Sequence, residues 1–99
     1  MFKFAKRVGV PGIQLLYRPN NLNRNRMAVL LRRGFRSAVH RNREKRIVKE
    51  CYRNIKNYLQ VGLDLIFLIF PGSLSFSKRY TQVYDLLVSA GLLLNNEKS

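Results

Sequence analysis

Between Arg41 and Arg53 the chain sets six cations among thirteen residues, Arg41, Arg43, Lys45, Arg46, Lys49 and Arg53, against only Glu44 and Glu50. Side chains of this kind at this density suit one task, the holding of phosphate. Arginine's planar fork grips phosphate oxygens bidentately and stacks on bases, whereas lysine supplies a mobile point charge. Asn42, in their midst, brings a donor and an acceptor for a phosphate or a base edge. Covalent or metal chemistry has far less to work with. His40 and Cys51 are the only histidine and cysteine, so neither an internal disulfide nor a zinc site can be assembled from them. His40 has no evident acid or nucleophile beside it and is not expected to be catalytic. Asp64 and Asp85 stand alone in the sequence, giving neither paired carboxylates nor a two-metal centre.

The cations need an element to align them, and residues 37–59 supply one. At 100° per residue with Ile47 at zero, Ile47, Val48, Cys51, Tyr52, Ile55, Tyr58 and Leu59 span about 0–140°. Asn42, Lys45, Arg46, Lys49, Arg53 and Lys56 span about 160–260°. The periodicity predicts a helix capped by Ser37 and running to Leu59, with Gly62 marking its end. One face docks on a sheet and the other carries a stripe of positive charge. Cys51, mid-helix on the apolar side, reads as a small buried hydrophobe.

The rest of the chain must build what the helix packs on. Residues 2–8 allow at most a short helical turn before Pro11 and Gly12 break it. Residues 13–17 and 26–31 are strand candidates, expected to pair as a hairpin around the turn Arg18-Pro19-Asn20-Asn21. Arg32-Arg33-Gly34-Phe35-Arg36 is a basic loop whose glycine lets backbone approach a phosphate. Residues 63–70 (LDLIFLIF) read as a strand covered on both faces and stopped by Pro71-Gly72. A last helix, capped by Ser75 or Ser77, repeats Tyr80, Val83, Tyr84, Leu87 and Ala90 at helical spacing and ends at Gly91. Tyr52, Tyr58, Tyr80 and Tyr84 are expected in the core, and residues 95–99 form a frayed tail. The order strand, strand, helix, strand, helix is α+β, and 99 residues make one domain, 1–99.

A formal charge of +14 on so short a chain repels itself and calls for a polyanionic partner. Ten of the 19 basic residues fall between Arg32 and Lys56, which concentrates the charge and favours nucleic acid. A membrane surface is the lesser candidate, because the helix's apolar face is already committed to the core. No apolar run follows the basic N-terminus as in a signal peptide, and the longest, residues 65–70, is too short to span a bilayer. A cytoplasmic setting is expected.

The pattern Ala38-Val39-x-Arg41-Asn42-Arg43-x-Lys45-Arg46-x-x-x-Glu50-x-x-Arg53 resembles the signature of the bacterial ribonuclease P protein component. The similarity extends over most of the chain, through Asp64 in its apolar strand to the Leu-rich helix ending in Ala-Gly-Leu. Two departures stand out. Arg32-Arg33-Gly34-Phe35-Arg36-Ser37 replaces a Ser-Lys-Lys-x-Gly-Lys-like loop, and Glu44 occupies a position that is usually apolar. The resemblance implies an α/β sandwich with a left-handed βαβ crossover, the opposite hand to the general rule. It implies a protein subunit that binds the catalytic RNA of ribonuclease P and the tRNA precursor, with chemistry carried by the RNA and its Mg2+ and no obligate protein partner. Arg41, Asn42, Arg43, Lys45, Arg46, Lys49 and Arg53 would then face RNA, with Arg32, Arg33 and Arg36 in the adjoining loop. The single-stranded 5′ leader would lie in a cleft with Lys56 and with Tyr17 as its aromatic platform, Phe4 behind it. The alternatives by residue content are a ribosomal or general RNA-binding protein and a self-sufficient nuclease.

Overall fold

The most apolar segment takes the place with most neighbours, and the other elements arrange themselves around it. In the computed structural model, which describes residues 6–35, 37–71 and 76–94, the strands are β1 (Lys6–Val10), β2 (Ile13–Pro19), β3 (Arg26–Leu31) and β4 (Leu63–Ile69). The helices are α1 (Ala38–Ile55) and α2 (Phe76–Ser89), with a 3-10 turn at Lys56–Tyr58. The sheet order is β1-β2-β4-β3. Pairing is antiparallel between β1 and β2 and between β2 and β4, and parallel between β3 and β4. α1 is therefore the crossover joining two adjacent parallel strands, and the class is α+β.

Two expectations at the N-terminal end are corrected. Residues 13–17 and 26–31 do not form a hairpin, because β4 lies between them; nearly all apolar, it is buried at six of its seven positions and occupies the interior of the sheet. The hairpin is β1–β2, turning at Pro11-Gly12 with Gly12 at φ 95°. β1 stands where a helical turn was expected: Lys6, Val8 and Val10 share one face and Arg7 and Gly9 the other, a period of two. Phe2 and Phe4 lie outside the described residues.

The core sits on one face of the sheet. Ile13 and Leu15 of β2, Val29 of β3 and Leu65, Phe67 and Ile69 of β4 meet Val48, Cys51, Tyr52 and Ile55 of α1 and Val83, Leu86 and Leu87 of α2. Full burial of each such Leu, Ile or Phe contributes roughly 1.5–3 kcal/mol. Tyr52 packs edge-on to Phe67, ring centroids 6.5 Å apart. Tyr80 is half-buried, but Tyr58 and Tyr84 are exposed and are not core residues. In α2 the buried row is Arg79, Val83, Leu86 and Leu87, which rotates Tyr84 outward.

The start of α1 and the end of α2 follow from local chemistry, whereas the end of α1 is set by a distant partner. Ser37 caps α1, its hydroxyl accepting the His40 backbone N–H at 3.2 Å. The α-helix stops at Ile55 instead of Leu59. Its last turn tightens, and the chain then leaves it to pair Leu59 with Leu93 in an antiparallel bridge, Gln60 N–H donating to the Leu92 carbonyl at 2.9 Å. Gly62, at φ 91°, turns the chain into β4 and does not cap the helix. Gly91, at φ 71°, does end α2: its N–H donates to the Val88 carbonyl and that of Leu92 to Leu87, a Schellman motif closed by two core leucines. Ser77 lies inside α2, so it is not the cap, and Ser75 is outside the described residues.

Candidate nucleic-acid interface

α1 presents its charge as the periodicity requires. Val48, Cys51, Tyr52 and Ile55 anchor one side in the core, while Asn42, Arg46, Lys49, Arg53 and Lys56 are exposed on the other and Lys45 is half-buried at its edge. Arg41 is exposed too, in a first turn where Ala38 and Val39 also face solvent. Arg53 donates to Glu50 at 3.2 Å, a surface pair with little hold on either partner. The side chains of Arg41, Lys45, Arg46 and Lys49 have no acidic partner among the described residues. A contiguous cationic surface mounted on a rigid helix can neutralise a run of phosphates without reorganising.

Arg43 is placed differently. Its Nη1 donates to Glu44 at 3.0 Å. Glu44 is completely buried and turns its other oxygen to Nη2 of Arg79, 3.1 Å away and itself 1% exposed. Gln82 holds Arg79 from the far side at 2.8 Å and donates to the Pro11 carbonyl at 2.9 Å. The network thus ties α1 to α2 and to the β1–β2 turn. His40 is drawn into it, Nε2 lying 3.6 Å from Glu44, so the acid beside it is one helical turn away. Arg79 was missed in the sequence, although a signal existed: it shares the apolar row of α2 with Val83, as Glu44 shares that of α1 with Val48. Opposite charges on two apolar faces are a pair in waiting, since neither is buried alone at tolerable cost.

In the basic loop, Arg32 lies over the Phe70 ring with its guanidinium carbon 5.5 Å from the centroid, and its N–H donates to the Ile69 carbonyl. Arg33 is exposed, and Arg36 lies outside the described residues. Gly34 has a reason of its own. It adopts φ 110°, and a Cβ there would stand 2.8 Å from Cγ of Pro71.

The two groups nominated for a single strand are not equivalent. Lys56 is exposed in the 3-10 turn. Tyr17 is half-buried against the core and lines a pocket with Lys6, Gln60, Ala90 and Leu92, to which no cation of the α1 stripe contributes.

Asp64 is the second buried acid. It faces Arg18 and Arg26 in register across three strands. Arg26 grips it with two hydrogen bonds of 2.8 Å, Asn20 donates at 3.0 Å and Arg18 at 3.4 Å. Arg26, then Asn20, hold the Asp64 carboxyl well below the usual carboxylate range, and the same contact raises Arg26. Burial pushes the Cys51 thiol up to about 11. Among the described residues no three His, Cys, Asp or Glu side chains come together as a metal would need, and no helix is long and apolar enough to cross a membrane.

Known proteins are similar to this chain in sequence and in fold. The Ribonuclease P family matches residues 1–90 of the chain. A ribonuclease P protein component from Desulfotalea psychrophila is 30% identical over 100 residues, covering 100% of this chain and 83% of that one. One from Borrelia duttonii is 38% identical over 72 residues, 72% of this chain and 63% of its own. Among solved structures, the RNase P protein from Thermotoga maritima superimposes with a TM-score of 0.78 at 25% identity, covering 87% of this chain and 84% of that one. The Staphylococcus aureus RNase P protein gives 0.81 at 18% identity, with 93% and 86% covered, a likeness of fold.

Proposed function

The chain belongs to the ribonuclease P protein family, and on that premise we propose that it is the protein subunit of the ribonucleoprotein that removes 5′ leaders from tRNA precursors. The observation that carries this reading is the α1 stripe, exposed cations on a helix whose opposite face is locked in the core. Arg41, Asn42, Lys45, Arg46, Lys49 and Arg53 meet RNA phosphates, with Arg32 and Arg33 extending the surface past the N-terminus of α1 and Arg36, outside the described residues, assigned to RNA with them. Lys56 and Tyr17 serve the single-stranded leader, one by charge and the other by an aromatic face. By neutralising phosphate repulsion and holding the leader, the protein favours precursor over mature tRNA.

Bond cleavage belongs to the RNA and its Mg2+. Three of the described acids are a poor fit for a metal: Glu44 and Asp64 each face arginines, and Glu50 pairs with Arg53. Purified protein added to the cognate ribonuclease P RNA at low Mg2+ is expected to restore cleavage of precursor and to bind precursor more tightly than mature tRNA. No effect on cleavage, with RNA affinity intact, would return the chain to a general RNA-binding role. Cleavage by the protein without RNA would refute the assignment of chemistry.

A further inference from the structure

Arg43 sits inside the basic signature yet is the one cation there bound to a buried acid. Glu44 has 0% exposure, and its two oxygens are divided between Arg79 at 3.1 Å and Arg43 at 3.0 Å. The division is set from α2. Arg79 is fixed by Gln82, which is fixed in turn by the Pro11 carbonyl, so the oxygen left over points toward Arg43. Resting on the RNA-binding reading of α1, we infer that Glu44 is a positioning residue that withholds Arg43 from RNA and uses it as a structural counter-ion. The signature arginines thereby divide into two classes.

The physical argument is competition. A phosphate that recruits Arg43 must break a charge-assisted hydrogen bond to a carboxylate out of reach of water, which leaves Glu44 with Arg79 at 3.1 Å and the His40 imidazole at 3.6 Å. Arg41 and Arg46 face solvent with no acidic partner among the described residues, so a phosphate takes them at no such cost. Geometry adds to this. Nη1 of Arg43 is committed to Glu44, and the half of the side chain that stays exposed offers a phosphate only the remaining N–H groups. Glu44 and Arg79 also fix the rotation of α1, since a helix turned about its axis would carry Glu44 off its partner.

Counterion release separates the classes, because each neutralised phosphate contributes about 0.7–0.9 to the slope of log K against log salt. The measurement is binding of the full chain to the cognate ribonuclease P RNA over a KCl series at fixed Mg2+. R41Q and R46Q are each expected to lower the slope by about 0.7–0.9, and R43Q by no more than about a third of that amount. E44L/R79M, which removes both buried charges together, frees Arg43 and is expected to raise the slope by about 0.7–0.9, a gain that adding R43Q abolishes. A slope that falls as far in R43Q as in R41Q overturns the inference, and so does a folded E44L/R79M with an unchanged slope. If E44L/R79M fails to fold by circular dichroism, R43Q against R41Q and R46Q decides alone. Flat slopes in R41Q and R46Q sink the RNA-binding reading itself, a result distinct from failure at Arg43.

Discussion

The Glu44–Arg79 pair yields the sharpest test of how α1 is held. In E44L the Arg79 guanidinium, 1% exposed, keeps only the Gln82 amide oxygen as a partner. An uncompensated buried charge of this kind costs about 3–5 kcal/mol. In R79M the damage is smaller, because Glu44 retains Arg43 at 3.0 Å, and about 1–3 kcal/mol is expected for the missing hydrogen bond. E44L/R79M removes both charges and fills the seam with aliphatic side chains of similar length, so it should lie within about 1 kcal/mol of the parent. The singles then sum to at least about 4 kcal/mol and the double does not, a coupling of roughly 3 kcal/mol.

Thermal melts by circular dichroism read this directly. For a domain of this size each kcal/mol moves the melting temperature by about 4–8 °C, so E44L should fall by at least about 12 °C and the double by less than about 8 °C. The coupling should persist in 0.5 M KCl, since a buried pair is poorly screened, in contrast to the exposed Arg53–Glu50 pair. An E44L melt within about 5 °C of the parent, or a double as unstable as E44L, would refute the reasoning.

Three further outcomes are expected. Since Arg26 and Asn20 depress the Asp64 carboxyl, the stability it confers is complete above the ordinary carboxylate range, about pH 4, and is lost as pH falls through the lower folded value. D64N should flatten the acid limb of the melting curve below about pH 4, and identical limbs in parent and variant would exclude Asp64 as its source. G34A should cost about 1–3 kcal/mol through the positive φ and the 2.8 Å approach to Pro71; adding Pro71→Ala should recover the steric part only, and an unchanged melt for G34A would disprove the strain. Cys51, with its thiol pushed up to about 11, should resist a thiol-specific disulfide reagent at pH 8 until urea unfolds the chain, whereas rapid labelling of native protein would place it at the surface.

Much of the fold was legible because it is encoded locally. Ser37, the 3.6-residue rhythm of α1, the apolar run of β4 and Gly91 each act within a few residues of themselves, and the sequence carries their signals undiluted. What was misread depended on partners far along the chain. Residues 13–17 and 26–31 looked like a hairpin because nothing local says that β4, more than thirty residues on, will enter between them. Residues 59–62 looked like the end of a helix because the Leu59–Leu93 bridge is invisible from either side alone. Tyr84 looked buried because its spacing fits the helix, but so does that of Arg79, and the row that a helix buries is chosen by the surface it meets.

The same distinction explains where the charge went. A stripe of cations can be counted from sequence, but its effective strength depends on where the few acids lie. Among the described acids, Glu44 and Asp64 are buried, and each answers arginines that fix internal seams: Arg79 between the helices, Arg26 and Arg18 across the sheet. Among those same acids Glu50 alone pairs with a stripe cation, Arg53, and does so weakly at the surface. The acids therefore neutralise cations that position elements far more than cations that face outward. A chain with the same composition but Glu44 and Asp64 on the exposed face of α1 would carry the same net charge and a much weaker field at that surface. The polyanion-binding capacity of the fold accordingly rests as much on the inward placement of two carboxylates as on the number of arginines and lysines.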